Sequence, residues 1–207
     1  MSKVLLVDDH AIVRDGLRRL LADLDLGQVL EAASGRDALA VARAERPSLV
    51  ILDLNLPDLG GLEILARLLR EDPAVRVLVL SMHAEPLYAS RALKAGAKGY
   101  VSKAAAPAEI AAAVRAVARG EGYVEAKVAQ AIALGTGGAA QLDALTPRDL
   151  EILRLLAAGR SLAEIAAALG VAYKTAANSC TLLKERLGVS RTAELIRLAV
   201  ELTEPVD

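Results

Sequence analysis

Leu49-Val50-Ile51-Leu52-Asp53-Leu54-Asn55-Leu56-Pro57 is a run of four aliphatic residues, then a carboxylate, then a turn closed by proline. An apolar run without polar alternation, bounded by turn residues, reads as a strand buried on both faces, the situation of a central strand in a parallel sheet. A second run, Val4-Leu5-Leu6-Val7, ends on Asp8 and Asp9. In an open parallel α/β sheet the carboxyl ends of the strands line one crevice, so these three carboxylates are expected to crowd one site. Like charges that close do not all ionise without a cation, and carboxylate and carbonyl oxygens around a divalent ion that keeps some waters describe a Mg2+ site.

Outward from there, short aliphatic runs at 4–7, 28–32, 48–52, 75–80 and 98–101 alternate with helical patterns at about 11–24, 36–46, 61–72, 85–96 and 107–119. Strands separated by helices of that length imply right-handed crossovers and a parallel sheet covered on both faces. Pro47, the turn Pro57 through Gly61, Pro73 and Pro107 punctuate the boundaries. The expected fold class is α/β: a five-stranded parallel doubly wound (flavodoxin-like) sheet over residues 2–120. A helical and Gly-rich linker follows over 121–141, with Gly135-Thr136-Gly137-Gly138-Ala139-Ala140 its least patterned part.

Residues 142–207 read as a small all-α unit. Thr146-Pro147 gives an N-cap followed by proline at the first helical position, and Leu150, Ile152, Leu153, Leu155 and Leu156 mark an apolar face. Gly159 stops that helix. Ser161 caps a second, with Glu164 at the capping-box spacing, and Gly170 breaks it. A third runs from about Ala172 to Leu187-Gly188. Two short helices joined at Gly170-Val171 are a helix-turn-helix pattern, whose second member can enter a major groove.

The composition narrows the class. An apolar fraction of 54% with four Tyr and no Phe or Trp gives an aliphatic core. Charged residues interrupt every stretch long enough to span a bilayer, and no secretory signal precedes the first strand, so a cytoplasmic protein without membrane contact is expected. The single Cys180 has no partner for a disulfide or a zinc site. A net charge of −1 gives no overall pull towards nucleic acid, but residues 170–191 carry Lys174, Lys184, Arg186 and Arg191 against Glu185 alone, an excess of three positive charges.

Two further side chains complete the first site: Ser81, at the end of the fourth strand, and Lys103, after the fifth. A hydroxyl there can bond a phosphoryl oxygen, and an ammonium can neutralise one. The order Asp8-Asp9, Asp53, Ser81, Lys103 resembles the receiver domain of two-component response regulators over roughly residues 2–120. That resemblance implies Asp53 as phosphoacceptor, with Asp9, Asp53 and the Asn55 carbonyl as direct Mg2+ ligands and Asp8 acting through water. It implies that Lys103 neutralises charge and that Ser81 follows the phosphoryl group, vacating space for Tyr100, the switch aromatic. The phosphoryl donor implied is a sensor histidine kinase. Ala104 stands where many receivers have proline, so a cis peptide after Lys103 is not expected. A haloacid-dehalogenase-type phosphatase also has an Asp after an apolar strand, but it needs a second Asp two residues on, where this chain has Asn55; no enzymatic turnover is expected. His10 and His83 read as loop residues beside the site.

From Leu145-Thr146-Pro147-Arg148 through Glu151, then Gly159, Ser161, Glu164-Ile165-Ala166, Leu169-Gly170-Val171, Lys174-Thr175 and Leu187-Gly188, the chain is similar to the LuxR-type domain of the NarL/FixJ family, over about 142–203. Ala176 and Ser179 depart from the usual Val and His of that pattern, which bears on base preference rather than on fold. Lys174, Thr175, Asn178, Thr181 and Leu182 recur at three- and four-residue spacing, so several can face one groove. Lys174, Lys184 and Arg186 suit phosphates, and Asn178 suits a base edge. The function this implies is a transcriptional regulator that binds double-stranded DNA and is switched by phosphorylation of Asp53, which acts either by forming a homodimer or by freeing the recognition helix from the receiver; the alternative is a receiver with a protein-binding output.

Overall fold

The computed structural model of the chain describes residues 2–82, 86–133 and 145–203. Six parallel strands lie in the order β2-β1-β3-β4-β5-β6: β1 Lys3–Val7, β2 Gln28–Ala32, β3 Leu49–Asp53, β4 Arg76–Ser81, β5 Gly99–Ser102 and β6 Tyr123–Val124. The connecting helices are α1 Ala11–Ala22, α2 Gly35–Glu45, α3 Gly61–Glu71, α4 Pro86–Lys94 and α5 Pro107–Ala118, followed by α6 Ala126–Ala133.

Strand side chains alternate between the two faces, and the core divides accordingly. Leu5, Val7, Val50, Leu52, Val77 and Val79 pack with residues of α2, α3 and α4. Val4, Leu6, Leu49, Ile51, Leu78 and Leu80 pack with Leu17 and Leu21 of α1 and Ile110 and Val114 of α5. A strand with helices on both faces has no solvent side, which is why these segments lack polar alternation.

The expected count of five strands is corrected to six. Tyr123–Val124 runs parallel to β5, opposite Gly99 and Tyr100, and the Glu125 carboxylate accepts a hydrogen bond from Ser102 N at 2.8 Å. A two-residue strand is too short to show any period in sequence. The Gly-rich segment 135–140 lies outside the described residues, as does His83.

The turn after β3 is shaped by one glycine. A Cβ on Gly61 would lie 2.3 Å from Leu54 Cα, so only glycine lets α3 start against the backbone that follows Asp53. The Asp58 carboxylate in the same turn accepts from Gly35 N and Arg36 N, capping α2.

The C-terminal unit contains α7 Pro147–Ala157, α8 Leu162–Ala168, α9 Tyr173–Leu187 and α10 Thr192–Thr203. Thr146 and Ser161 each cap a helix in a reciprocal capping box, with Asp149 and Glu164 respectively. Hydrogen bonds from Ser161 and the Arg160 guanidinium hold the Glu164 carboxyl at about 2. Gly170, at φ 63, makes the left-handed turn between α8 and α9. Buried Asp149 also accepts from the Arg186 guanidinium, tying α9 to α7. Thr146→Ala is expected to lower the stability of this unit by about 1 kcal/mol, read as a lower urea midpoint at unchanged slope; an unchanged midpoint rejects the cap as a contributor.

The two units touch through α3, α4 and α7, and one apolar cluster continues from the sheet's α2–α4 face into Leu150, Leu153 and Leu156. Among the described residues no helix is long and apolar enough to cross a membrane.

Candidate functional site

The sheet order reverses direction between β1 and β3, so their carboxyl ends border the crevice of a topological switch point. Asp8 follows β1 and Asp53 ends β3; both are 1% exposed. Asp9 and His10 lie on the open side, with His10 Nδ1 2.7 Å from Asp9 Oδ1. One ligand atom from each of Asp8, Asp9, His10 and Asp53 falls within 4.8 Å of the others, a grouping able to hold a metal ion. His10, expected as a loop residue beside the site, is within reach of the same grouping.

Lys103 reaches this cluster from the end of β5. Its side chain is 4% exposed, and Nζ lies 2.6 Å from both Asp53 Oδ2 and Asp8 Oδ2. It donates a hydrogen bond to Asp53, whereas Asp8 Oδ2 has the ammonium close by but no hydrogen bond directed at it. The other oxygens are held by backbone: Asn55 N donates to Asp53 Oδ1 at 3.0 Å and His10 N to Asp8 Oδ1 at 2.9 Å. Burial pushes the Asp53 carboxyl above the usual carboxylate range, against the Lys103 and Asn55 hydrogen bonds that pull it down.

Three carboxylates against one ammonium leave an excess of two negative charges when all are ionised. That excess and the hard oxygen donors of the grouping fit a small divalent cation of the Mg2+ type.

Ser81 ends β4, 5% exposed and in register with Ser102; its carbonyl accepts from Lys103 N at 2.7 Å. Tyr100 is fully buried in β5, between Val79 and Val124. The side chains predicted for the first site thus all arise at or near the carboxyl ends of β1, β3, β4 and β5. The described peptides are all trans, Lys103–Ala104 included.

On α9 the buried face is Ala176, Cys180, Leu183 and Leu187. Opposite it, Lys174, Thr175, Asn178 and Thr181 are exposed, and Lys184 is half-buried. Arg186, expected among the phosphate-facing groups, has its guanidinium on Asp149. Burial raises the Cys180 thiol pKa.

A residue that the sequence reading missed is Tyr88 of α4. It is 5% exposed and its hydroxyl donates to the Leu150 carbonyl of α7 at 2.6 Å. The contact joins residues 62 positions apart, and nothing in local patterning marks it.

Residues 4–115 match the family described as "Response regulator receiver domain", and residues 143–199 the one described as "Bacterial regulatory proteins, luxR family". Among curated relatives, the chain is 44% identical over 204 residues to the transcriptional activator protein ExaE of Pseudomonas putida, covering 96% of this chain and 95% of the relative. It is 36% identical over 205 residues to the response regulator GacA of Pseudomonas aeruginosa, with 97% and 96% covered. Among solved structures, RcsB from Salmonella enterica serovar Typhimurium, bound to promoter rprA in the presence of phosphomimetic BeF3−, superposes with a TM-score of 0.72 at 26% identity, covering 96% of this chain and 98% of that one.

Proposed function

The chain belongs to the two-component response regulators of the NarL/FixJ family, a receiver domain followed by a luxR-type DNA-binding domain, and from that premise we infer that Asp53 is its phosphoacceptor and that phosphorylation there controls transcription. The observation that carries this reading is the convergence of Asp8, Asp9, Asp53 and Lys103 on one crevice, with the Lys103 ammonium 2.6 Å from the buried Asp53 and Asp8 carboxylates. The domain division we infer is a receiver over 2–120, a linker over 121–141 whose first residues complete the receiver sheet as β6, and a DNA-binding unit over 142–207.

In the step proposed, an Asp53 carboxylate oxygen attacks the phosphorus of a phosphohistidine on a sensor kinase. A P–O bond forms as the P–N bond breaks, and the bonding pair leaves with the imidazole nitrogen. Asp9, Asp53 and the Asn55 carbonyl are the proposed direct ligands of Mg2+, with Asp8 acting through water. When bound, Mg2+ offsets negative charge on the transferring group. Lys103 supplies the fixed positive charge at Asp53, and Asn55 N orients the nucleophile through its hydrogen bond to Oδ1. The Ser81 hydroxyl bonds a phosphoryl oxygen once transfer is complete. Its movement towards that oxygen frees volume for Tyr100, so phosphorylation shifts the population between two packings of one surface.

The proposed output is double-stranded DNA binding in the cytoplasm by a homodimer formed on phosphorylation. In α9, Lys174 and Lys184 contact phosphates, and Thr175, Asn178 and Thr181 face the groove. Arg186 serves this surface by holding α9 on α7 through Asp149. RcsB, similar along nearly its whole length, was solved on a promoter, which favours DNA over a protein-binding output. Acetyl phosphate with Mg2+ is expected to add one phosphoryl group and to tighten salt-dependent, sequence-selective DNA binding; a phosphorylated chain that binds no tighter rejects the coupling.

The exposed face of α9 leaves a role for the contact between the units other than covering it: the Tyr88 hydrogen bond holds α7 against the receiver. Tyr88→Phe removes one buried hydrogen bond, about 1 kcal/mol, and is expected to shift the chain about five-fold towards a separated arrangement, seen as a larger radius of gyration in small-angle scattering. An unchanged radius would mean that apolar packing alone holds the joint.

A further inference from the structure

Leu182 is 51% exposed in the middle of the solvent face of α9, and we propose that it reads the C5-methyl group of a thymine in the operator; this rests on the DNA-binding reading above. Single exposed leucines are ordinary on protein surfaces, so its place matters more than its exposure. Lys174, Asn178 and Leu182 follow one another at four-residue intervals, one helical turn and about 6 Å apart, directly opposite the buried Ala176, Cys180, Leu183 and Leu187. Leu182 therefore belongs to the same stripe as the cation and the amide that would meet DNA, at the next turn along.

The chemistry of that half of the stripe is restricted. The Thr181 hydroxyl donates its single proton to the Ala177 carbonyl at 3.2 Å, leaving lone pairs and a methyl group. Leu182 has no polar atom, and Glu185, exposed one turn beyond Thr181, only accepts when ionised. Thr181, Leu182 and Glu185, the residues of this span farthest from the buried face, thus offer no side-chain donor; Lys184, the donor among them, is half-buried to one side and is assigned to phosphate. Guanine shows two acceptors, N7 and O6, in the major groove and needs donors. Thymine shows a methyl group, which is matched by apolar contact. Asn178, one turn earlier, has the donor and acceptor pair that suits adenine N6 and N7. The 6 Å between them corresponds to about two base steps at 3.4 Å each, so a half-site with an adenine and a thymine about two steps apart is the expected target.

The test uses the full chain and a duplex it selects from a randomised library, resynthesised with each thymine in turn replaced by deoxyuridine, which lacks only the methyl group. One such replacement per half-site is expected to weaken wild-type binding about three- to five-fold, the scale of one buried methyl group. Leu182→Ala is expected to bind the thymine and deoxyuridine duplexes equally, with unchanged thermal midpoint and unchanged salt dependence, because the phosphate contacts remain. Uniform tolerance of deoxyuridine by wild type, or discrimination that persists in Leu182→Ala, overturns the assignment. So does a variant altered only in self-association, which would make Leu182 a protein contact. Selection of no sequence and absence of salt-dependent binding would instead remove the DNA-binding reading itself.

Discussion

Asp53→Asn is expected to acquire no phosphoryl group from acetyl phosphate and Mg2+, while wild type acquires one, a difference that intact-mass spectrometry reads directly. The effect is all or none because an amide oxygen is not a nucleophile of the required kind, and no second carboxylate has the same place: Asp8 is as buried but follows β1, and Asp9 lies on the open rim. The same substitution is expected to stabilise the protein in the absence of divalent cations. Burial raises the Asp53 pKa, so the folded chain holds that proton more tightly than the unfolded chain. Stability from this group is then fully present below the ordinary aspartate value and declines as pH rises through the folded pKa. Asparagine removes the decline. In EDTA, Asp53→Asn should melt above wild type at neutral pH, with the gap closing as pH falls below the aspartate range. A phosphoryl adduct on Asp53→Asn would move the acceptor elsewhere; a lower melting point would reverse the account of Asp53 as a buried charge that costs stability.

Lys103→Met should produce the largest loss of stability. Its ammonium is the positive charge 2.6 Å from two carboxylates whose side chains are at most 1% exposed. Removing one partner of a buried ionic group leaves uncompensated charge and costs about 3–5 kcal/mol. Methionine keeps most of the volume, so the loss reports charge rather than a cavity. In EDTA the melting temperature is expected to fall by roughly 10 °C or more. Millimolar Mg2+, which binds the folded form, should return much of it. A variant that melts with wild type in EDTA would sink the view that Lys103 is the counter-charge of this crevice. A variant destabilised in EDTA but indifferent to Mg2+ would separate Lys103 from the metal site.

Much of the first site was legible because its chemistry sits at strand ends. Val4–Val7 and Leu49–Leu52 are doubly buried, so their apolar runs show plainly, and a parallel sheet brings the residues that follow them to one edge whatever the loops do. Asp8, Asp9, Asp53, Ser81 and Lys103 could be placed together on that ground alone. His10, read as a loop residue beside the site, lies there with its ring on Asp9. Tyr123–Val124 was read as the approach to a helix, since two residues are too few to show alternation. The Arg186–Asp149 ion pair and the Tyr88–Leu150 hydrogen bond were not legible. Each joins elements far apart in sequence, and the tertiary arrangement, not local pattern, decides which distant partner a polar group finds. For Arg186 the pairing adds a second role: a basic residue of α9 expected at phosphate also braces that helix on α7 through Asp149.

The Tyr88 hydrogen bond ends on the main chain of α7, not on a side chain. Every residue type at position 150 supplies the same carbonyl, so this hydrogen bond makes no demand on the side chain there; that demand comes from the apolar cluster in which Leu150 is buried. The receiver's half of this bond is one phenol, and the other half survives any substitution at position 150 that keeps the helix; what is particular about the joint lies in the apolar side chains around the bond.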